Sequence, residues 1–348
     1  MPREILSVVG ARPQFIKAAA VSRALRSAPD LTEVLVHTGQ HFDENMSAVF
    51  FTELDITTPA YNLGVHGGGH GAMTGRMMAA LEEVVVGSRP DAVLVYGDTN
   101  STLAGALVAA KLHIPLAHVE AGLRSRNRKM PEEINRIVVD HLSDLLFCPT
   151  SHSVENLTSE GITRGVHKVG DIMLDATLHQ RELALERSTI LARLGLAPGA
   201  FALCTVHRAE NTDDRDRLDR IMRFLEQEAE SRPIVFPVHP RTRAELDRLA
   251  HRLRGITLID PVGVLDMHRL LAGASVVYTD SGGLQKEAYF HRVPCVTLRD
   301  ETEWIETITH GWNRLWTGPA YLPRREIDEY GDGNAGRRIV EEIGAFLG

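Results

Sequence analysis

A chain of 348 residues is too long for one ordinary hydrophobic core, and two α/β domains are the default expectation. Its net charge of −8, from 38 basic and 46 acidic residues, argues against nucleic acid or an anionic membrane as a whole-molecule partner, while leaving room for a local basic pocket. The three cysteines, Cys148, Cys204 and Cys295, sit in or beside apolar runs without metal-ligand spacing and read as buried thiols of a reducing cytoplasm.

Short β-rich runs alternate with helix-period stretches along the whole chain, the pattern of parallel sheets with crossover helices. The first half predicts strands at 5–9, 34–37, 92–96, 116–119 and 145–148, with helices at 14–26, 74–86, 102–112, 132–142 and 151–160. The first strand begins at once and meets Arg12 too early for a signal peptide, and no apolar run approaches the roughly 18–20 residues of a membrane span. A cytoplasmic protein is therefore expected. The second half predicts strands at 202–206, 234–238, 257–259, 276–279 and 295–298, with helices at 215–230, 243–253, 264–272 and 283–290. These two halves read as Rossmann-like domains, 1–180 and 181–348, with a cleft between them. The final helix, 335–346, is free to stay with the second half or fold back on the first.

The first strand ends in Gly10-Ala-Arg-Pro-Gln-Phe-Ile-Lys17. Pro13 and the turn glycine are ordinary strand-to-helix grammar. Arg12 and Lys17 are less ordinary, since cations beside a helix N-terminus oppose its dipole; they read either as solvated cations or as a clamp for phosphate or carboxylate. The glycine run Gly67-Gly-Gly-His-Gly71 matches neither phosphate-loop fingerprint and reads as a mobile loop. In Tyr96-Gly-Asp-Thr-Asn-Ser101 any of the polar residues could cap the next helix. Asp98 gains interest because Glu120, in His118-Val-Glu-Ala-Gly-Leu-Arg124, ends the following strand. Carboxylates on neighbouring strand ends can form an acid/base pair. Glu132 and Glu133 then open the next helix in Pro131-Glu-Glu-Ile-Asn-Arg136.

In the second half His207 and Arg208 follow a strand, and His207 suits acid/base or phosphate work better than metal binding, for which further ligands at defined spacing are missing. Pro237-Val-His239 ends the next strand in the same way. Ser281-Gly-Gly283 opens a helix whose amides and dipole suit a diphosphate, with Glu287 one turn on, placed to accept hydrogen bonds from a ribose. A plain glycine-rich helix start is the alternative.

Together these motifs, with Arg299-Asp300, resemble the non-hydrolysing UDP-N-acetylglucosamine 2-epimerase family over nearly the whole chain. The resemblance implies a GT-B fold, a cytoplasmic homodimer, and inversion of C2 in a UDP-2-acetamido sugar, UDP-GlcNAc to UDP-ManNAc, without cofactor or metal. It implies anti elimination of UDP to 2-acetamidoglucal followed by re-addition. By the same resemblance Asp98, Glu120 and Glu132 handle protons, with His207 assisting at the diphosphate. Arg12, Lys17, Arg136, Arg208, His239, Ser281, Gly282, Gly283 and Glu287 bind substrate. Two departures, Gln14 in place of an acid and Asp300-Glu-Thr-Glu-Trp304, resemble the branch acting on UDP-2,3-diacetamido-2,3-dideoxy-glucuronic acid, the alternative substrate. Gln14 would there suit a substrate bearing its own carboxylate. A hydrolysing epimerase and a GT-B glycosyltransferase are the further alternatives.

Overall fold

The structure is a computed structural model and describes residues 2–40, 57–249 and 253–348. The chain divides into two compact units: Met1–Ala176 with Asp328–Gly348, and Thr177–Ile327.

Unit 1 is built on a seven-stranded sheet of order β3-β2-β1-β4-β5-β6-β7. The strands are β1 (Arg3–Val9), β2 (Leu31–His37), β3 (Tyr61–Asn62), β4 (Ala92–Tyr96), β5 (Leu116–Val119), β6 (Leu145–Cys148) and β7 (Val166–Lys168). Every pairing is parallel. β4, β5 and β6 are buried along their full length, which is why they read as continuous apolar runs rather than alternating ones: helices cover both faces of such a sheet. One face packs Leu6, Val8, Val93 and Val95 against Met77, Leu81 and Ala104 from the helices His70–Ser88 and Asn100–Lys111. Gly105 lets the second of these helices approach closely, since a Cβ there would stand 3.1 Å from Val95 and 3.3 Å from Val8.

Unit 2 repeats the plan with six parallel strands ordered β10-β9-β8-β11-β12-β13. They are β8 (Ala202–Thr205), β9 (Ile234–Pro237), β10 (Ile256–Ile259), β11 (Val276–Thr279), β12 (Cys295–Thr297) and β13 (Asn313–Leu315). Leu218, Ile221, Met222 and Leu225 cover one face from the amphipathic helix Arg215–Ala229, and Leu270, Leu271 and Ala288 cover the other.

In both sheets the strand order reverses once, between β1 and β4 and between β8 and β11. The crevice beyond the strand ends at such a reversal is where doubly wound folds bind ligands. Gly10–Lys17 and Tyr96–Ser101 leave the first pair; His207-Arg208 and Asp280–Gly283 leave the second.

The boundary between units falls at 176/177, inside the helix Ile172–Arg187, where the sequence suggested 180/181. The helix Ala335–Leu347 belongs with unit 1. There the Gly336 amide donates to Asp175 (2.8 Å), Arg338 donates to the Val169 carbonyl (3.0 Å), and a Cβ at Gly336 would stand 3.1 Å from the Ala20 carbonyl. The glycine run leads into the helix His70–Ser88, whose Arg76 reaches back to the carbonyls of His66 and Gly67.

Candidate active site

In unit 1 the β1 turn enters the helix Arg12–Arg26. Gln14 is 1% exposed and fully engaged. Its Oε1 accepts the amides of Gly10 (2.8 Å) and Ala11 (3.0 Å), and its Nε2 donates to the Tyr96 carbonyl (2.9 Å) and Thr102 Oγ1 (3.0 Å). Gln14 therefore pins the β1 turn to the β4 turn. The side chain of Arg12 lies outside the described residues.

Lys17, one turn further along, pairs with Glu120 in nearly buried surroundings. The two meet over Gly97, where a Cβ would stand 3.3 Å from Lys17 Nζ and 3.5 Å from Glu120 Oε2. Glu120 holds a left-handed backbone, φ 73°, unusual for a residue with a side chain and costing about 1–2 kcal/mol. The amides of Glu120 and Ala121 both donate to the Phe147 carbonyl (3.1 Å each), which fixes that turn.

Asp98 leaves the end of β4, the strand paired to β5, and bonds Arg136 from the helix Pro131–Leu142. Asn135 of that helix donates to the Asp98 carbonyl (2.8 Å). The two adjacent glutamates at the helix start part company. Glu133 turns inward and accepts the Ser125 and Arg126 amides (2.8 Å each), the Ser125 hydroxyl (2.9 Å) and Arg136 (3.0 Å). Burial pushes its pKa up, but these donors outweigh it and hold the carboxyl below the ordinary value. Glu132 is exposed and has no hydrogen bond or ion pair among the described residues.

Behind Glu120 lies a network that the sequence did not reveal. His118 is fully buried, its Nε2 2.8 Å from the Gly97 carbonyl and its Nδ1 2.7 Å from Asp140. Both partners offer acceptor oxygens, so the ring is held from either side. Asp140 also takes the Gly122 amide (3.1 Å) and Arg124 (2.7 Å), and Arg124 forks onto Glu160 (2.7 Å twice). Burial raises the Asp140 pKa, while His118 and Arg124 bring it below the usual carboxylate value. A signal was present: Glu133, Arg136 and Asp140 share a helix face at spacings of three and four.

In unit 2 the fully buried Asp280 organises the strand reversal. It accepts the amides of His207 (3.0 Å) and Arg208 (2.9 Å) and the Asn211 amide group (3.0 Å), and it lies 3.2 Å from His207 Nδ1. Burial raises its pKa, but the His207 ring, the Arg208 amide and Asn211 together keep it low. The His207 ring itself is about half exposed, 54% of its side chain.

Ser281 caps the helix Gly282–Phe290, its hydroxyl accepting from Leu284, but its own amide is committed to Thr279 Oγ1 (3.0 Å). The amide cradle therefore narrows to Gly282 and Gly283. Glu287 stands one turn on, with Oε1 3.9 Å from where a Cβ at Gly283 would be. His239 lies exposed between β9 and the helix Pro240–Leu249.

The family model for UDP-N-acetylglucosamine 2-epimerase matches residues 23–344. The chain belongs to that family. A relative from Pseudomonas aeruginosa, UDP-2,3-diacetamido-2,3-dideoxy-D-glucuronate 2-epimerase, is 53% identical over 98% of this chain and 99% of its own. The structure of UDP-GlcNAc 2-epimerase from Methanocaldococcus jannaschii is 38% identical, covers 99% of this chain and 100% of its own, and has a TM-score of 0.87. A structure of the epimerase from that organism in complex with UDP-GlcNAc and UDP is 39% identical with equal coverage and a TM-score of 0.82. This epimerase family, an isomerase family, thus shares with the chain its two Rossmann-like units of GT-B type. No helix among the described residues is long and apolar enough to cross a membrane.

Proposed function

We propose that the chain inverts C2 of a UDP-2-acetamido sugar, with unit 1 supplying the proton-handling groups and unit 2 the diphosphate cradle. The observation that carries this reading is the placement of Asp98 and Glu120 on adjacent strand ends, each against a cation, Arg136 and Lys17. A C2–H beside an acetamido group is not acidic, so its removal must be coupled to departure of a neutralised leaving group. One carboxylate takes the C2 proton as the C1–O bond breaks and UDP leaves with the electron pair, giving the 1,2-unsaturated glucal. Protonation of C2 from the opposite face and return of UDP to C1 complete the inversion. Two faces need two proton-handling groups, and Asp98, Glu120 and the unpaired Glu132 are the candidates.

Arg208 and the amides of Gly282 and Gly283 would take the charge on UDP, with His207, steered by Asp280, at the diphosphate. Lys17 serves this scheme as partner of Glu120 rather than as a substrate cation. The Pseudomonas relative and the Asp300-Glu-Thr-Glu-Trp304 sequence favour the diacetamido glucuronate over UDP-GlcNAc as substrate. A cytoplasmic homodimer follows from the family resemblance. The test is NMR of both UDP-sugars in D₂O: deuterium should enter C2, faster in the uronate. Unchanged substrate in both would sink the reading.

A further inference from the structure

The helix Gly282–Phe290 presents its positive end to an anion that the protein itself supplies. A Cβ on Gly282 would stand 2.4 Å from Glu303 Oε1 and 3.6 Å from Arg208 Nη2, so the space left by the missing side chain holds a carboxylate from the loop after β12. The other oxygen of Glu303 takes a 2.6 Å bond from Arg299 Nη1, and Oε1 lies 3.8 Å from Arg208. Arg299 offers a second, independent sign of a missing ligand. It is 8% exposed, yet among the described residues its Nε–H makes no hydrogen bond and has only the ion-pair contact to Glu210 at 3.4 Å. A buried guanidinium N–H left without an acceptor is costly, and a phosphate oxygen is the kind of group that satisfies it.

We propose that Glu303 is an internal stand-in for the diphosphate: it fills the cradle when no nucleotide is bound and is exchanged for phosphate on binding, passing Arg208 and Arg299 to the ligand. This rests on the diphosphate reading of Gly282 and Gly283. Two anions at one helix mouth repel, so the carboxylate must leave before the phosphate settles. What the stand-in provides is a cradle kept in shape, with two arginines aligned. What it costs is apparent affinity: if the carboxylate occupies the cradle in nine molecules of ten, the dissociation constant is about tenfold weaker than the intrinsic one.

The experiment is calorimetric titration of the full chain and of Glu303→Gln and Glu303→Ala with UDP, inorganic pyrophosphate and uridine. Both variants should bind UDP and pyrophosphate roughly tenfold more tightly than the parent, with uridine, which has no phosphate, unaffected. Unchanged or weaker pyrophosphate binding by folded variants would overturn the proposal. Failure of the parent chain to bind UDP at all would instead count against the function reading, and the pyrophosphate arm separates the two. If neither variant folds, a crystal structure of the parent chain with UDP decides: Glu303 turned away from Arg299 supports the exchange, and Glu303 still bonded to Arg299 refutes it.

Discussion

Replacing Asp140 with alanine tests the buried network behind Glu120. The substitution strands three donors at once: a ring N–H of His118, the Gly122 amide and one N–H of Arg124. The His118 and Asp140 side chains are both wholly shielded from solvent, so water cannot replace the lost acceptor. Removing one partner of a buried charged pair costs about 3–5 kcal/mol, and a stranded amide adds about 1 kcal/mol. Arg124 keeps its fork onto Glu160, which trims the loss, and a net destabilisation of roughly 4 kcal/mol is expected. The protein offers a way to see where the loss falls. All three tryptophans, Trp304, Trp312 and Trp316, lie in unit 2, so their fluorescence follows that unit, while far-ultraviolet circular dichroism follows both. In urea, with a slope of about 2 kcal/mol per M, the unit 1 part of the dichroism transition should move down by about 2 M. The tryptophan transition should move much less. A dichroism shift worth under about 0.5 kcal/mol, the scale of a surface substitution, would refute the reasoning.

Asp98→Ala and Glu120→Ala should each abolish deuterium exchange at C2 while leaving UDP binding largely intact; an equal loss of UDP affinity would reduce both to structural roles. In unit 2 the buried rings of His268 and His291 lie 2.9 Å apart, and burial lowers their pKa values to about 4 and about 3 from an ordinary 6.5. Between those values the unfolded chain binds protons that the folded chain does not, so stability rises with pH through that window and is lost as pH falls below 6.5. From pH 7 to pH 5 each ring should cost about 2 kcal/mol, read as a lower urea midpoint of tryptophan fluorescence. The double variant His268→Gln, His291→Leu should lose that acid sensitivity; an unaltered pH dependence would refute the assignment.

Much of the fold was legible because buried parallel strands are continuous apolar runs, as in Ala92–Tyr96 and Leu116–Val119, and because glycine and proline mark the turns. The strands Tyr61–Asn62, Val166–Lys168 and Asn313–Leu315 escaped notice, since two or three residues cannot display a period. Asp98 and Glu120 were singled out from their positions at strand ends, and the two strands they follow do pair. The pairings of Asp98 with Arg136 and of Glu120 with Lys17 escaped notice, because these residues come together only through strand pairing and helix packing. The structural work of Gln14 escaped notice for the same reason, its four bonds spanning residues 10 to 102. Ser281 read as a donor to ligand together with Gly282 and Gly283, yet its own amide is used locally by Thr279.

The placement of Ala335–Leu347 makes unit 2 an insertion within unit 1 rather than a successor to it. During synthesis all of residues 177–327 emerge before the helix that covers Ala20 and donates its Gly336 amide to Asp175 is made. The inserted unit can therefore mature while its host is still an open form with an apolar flank awaiting Ile339, Val340 and Ile343. A chain ending at Ile327 would leave the inserted unit whole and the host permanently unfinished, so the two units cannot be separated by cutting the chain once.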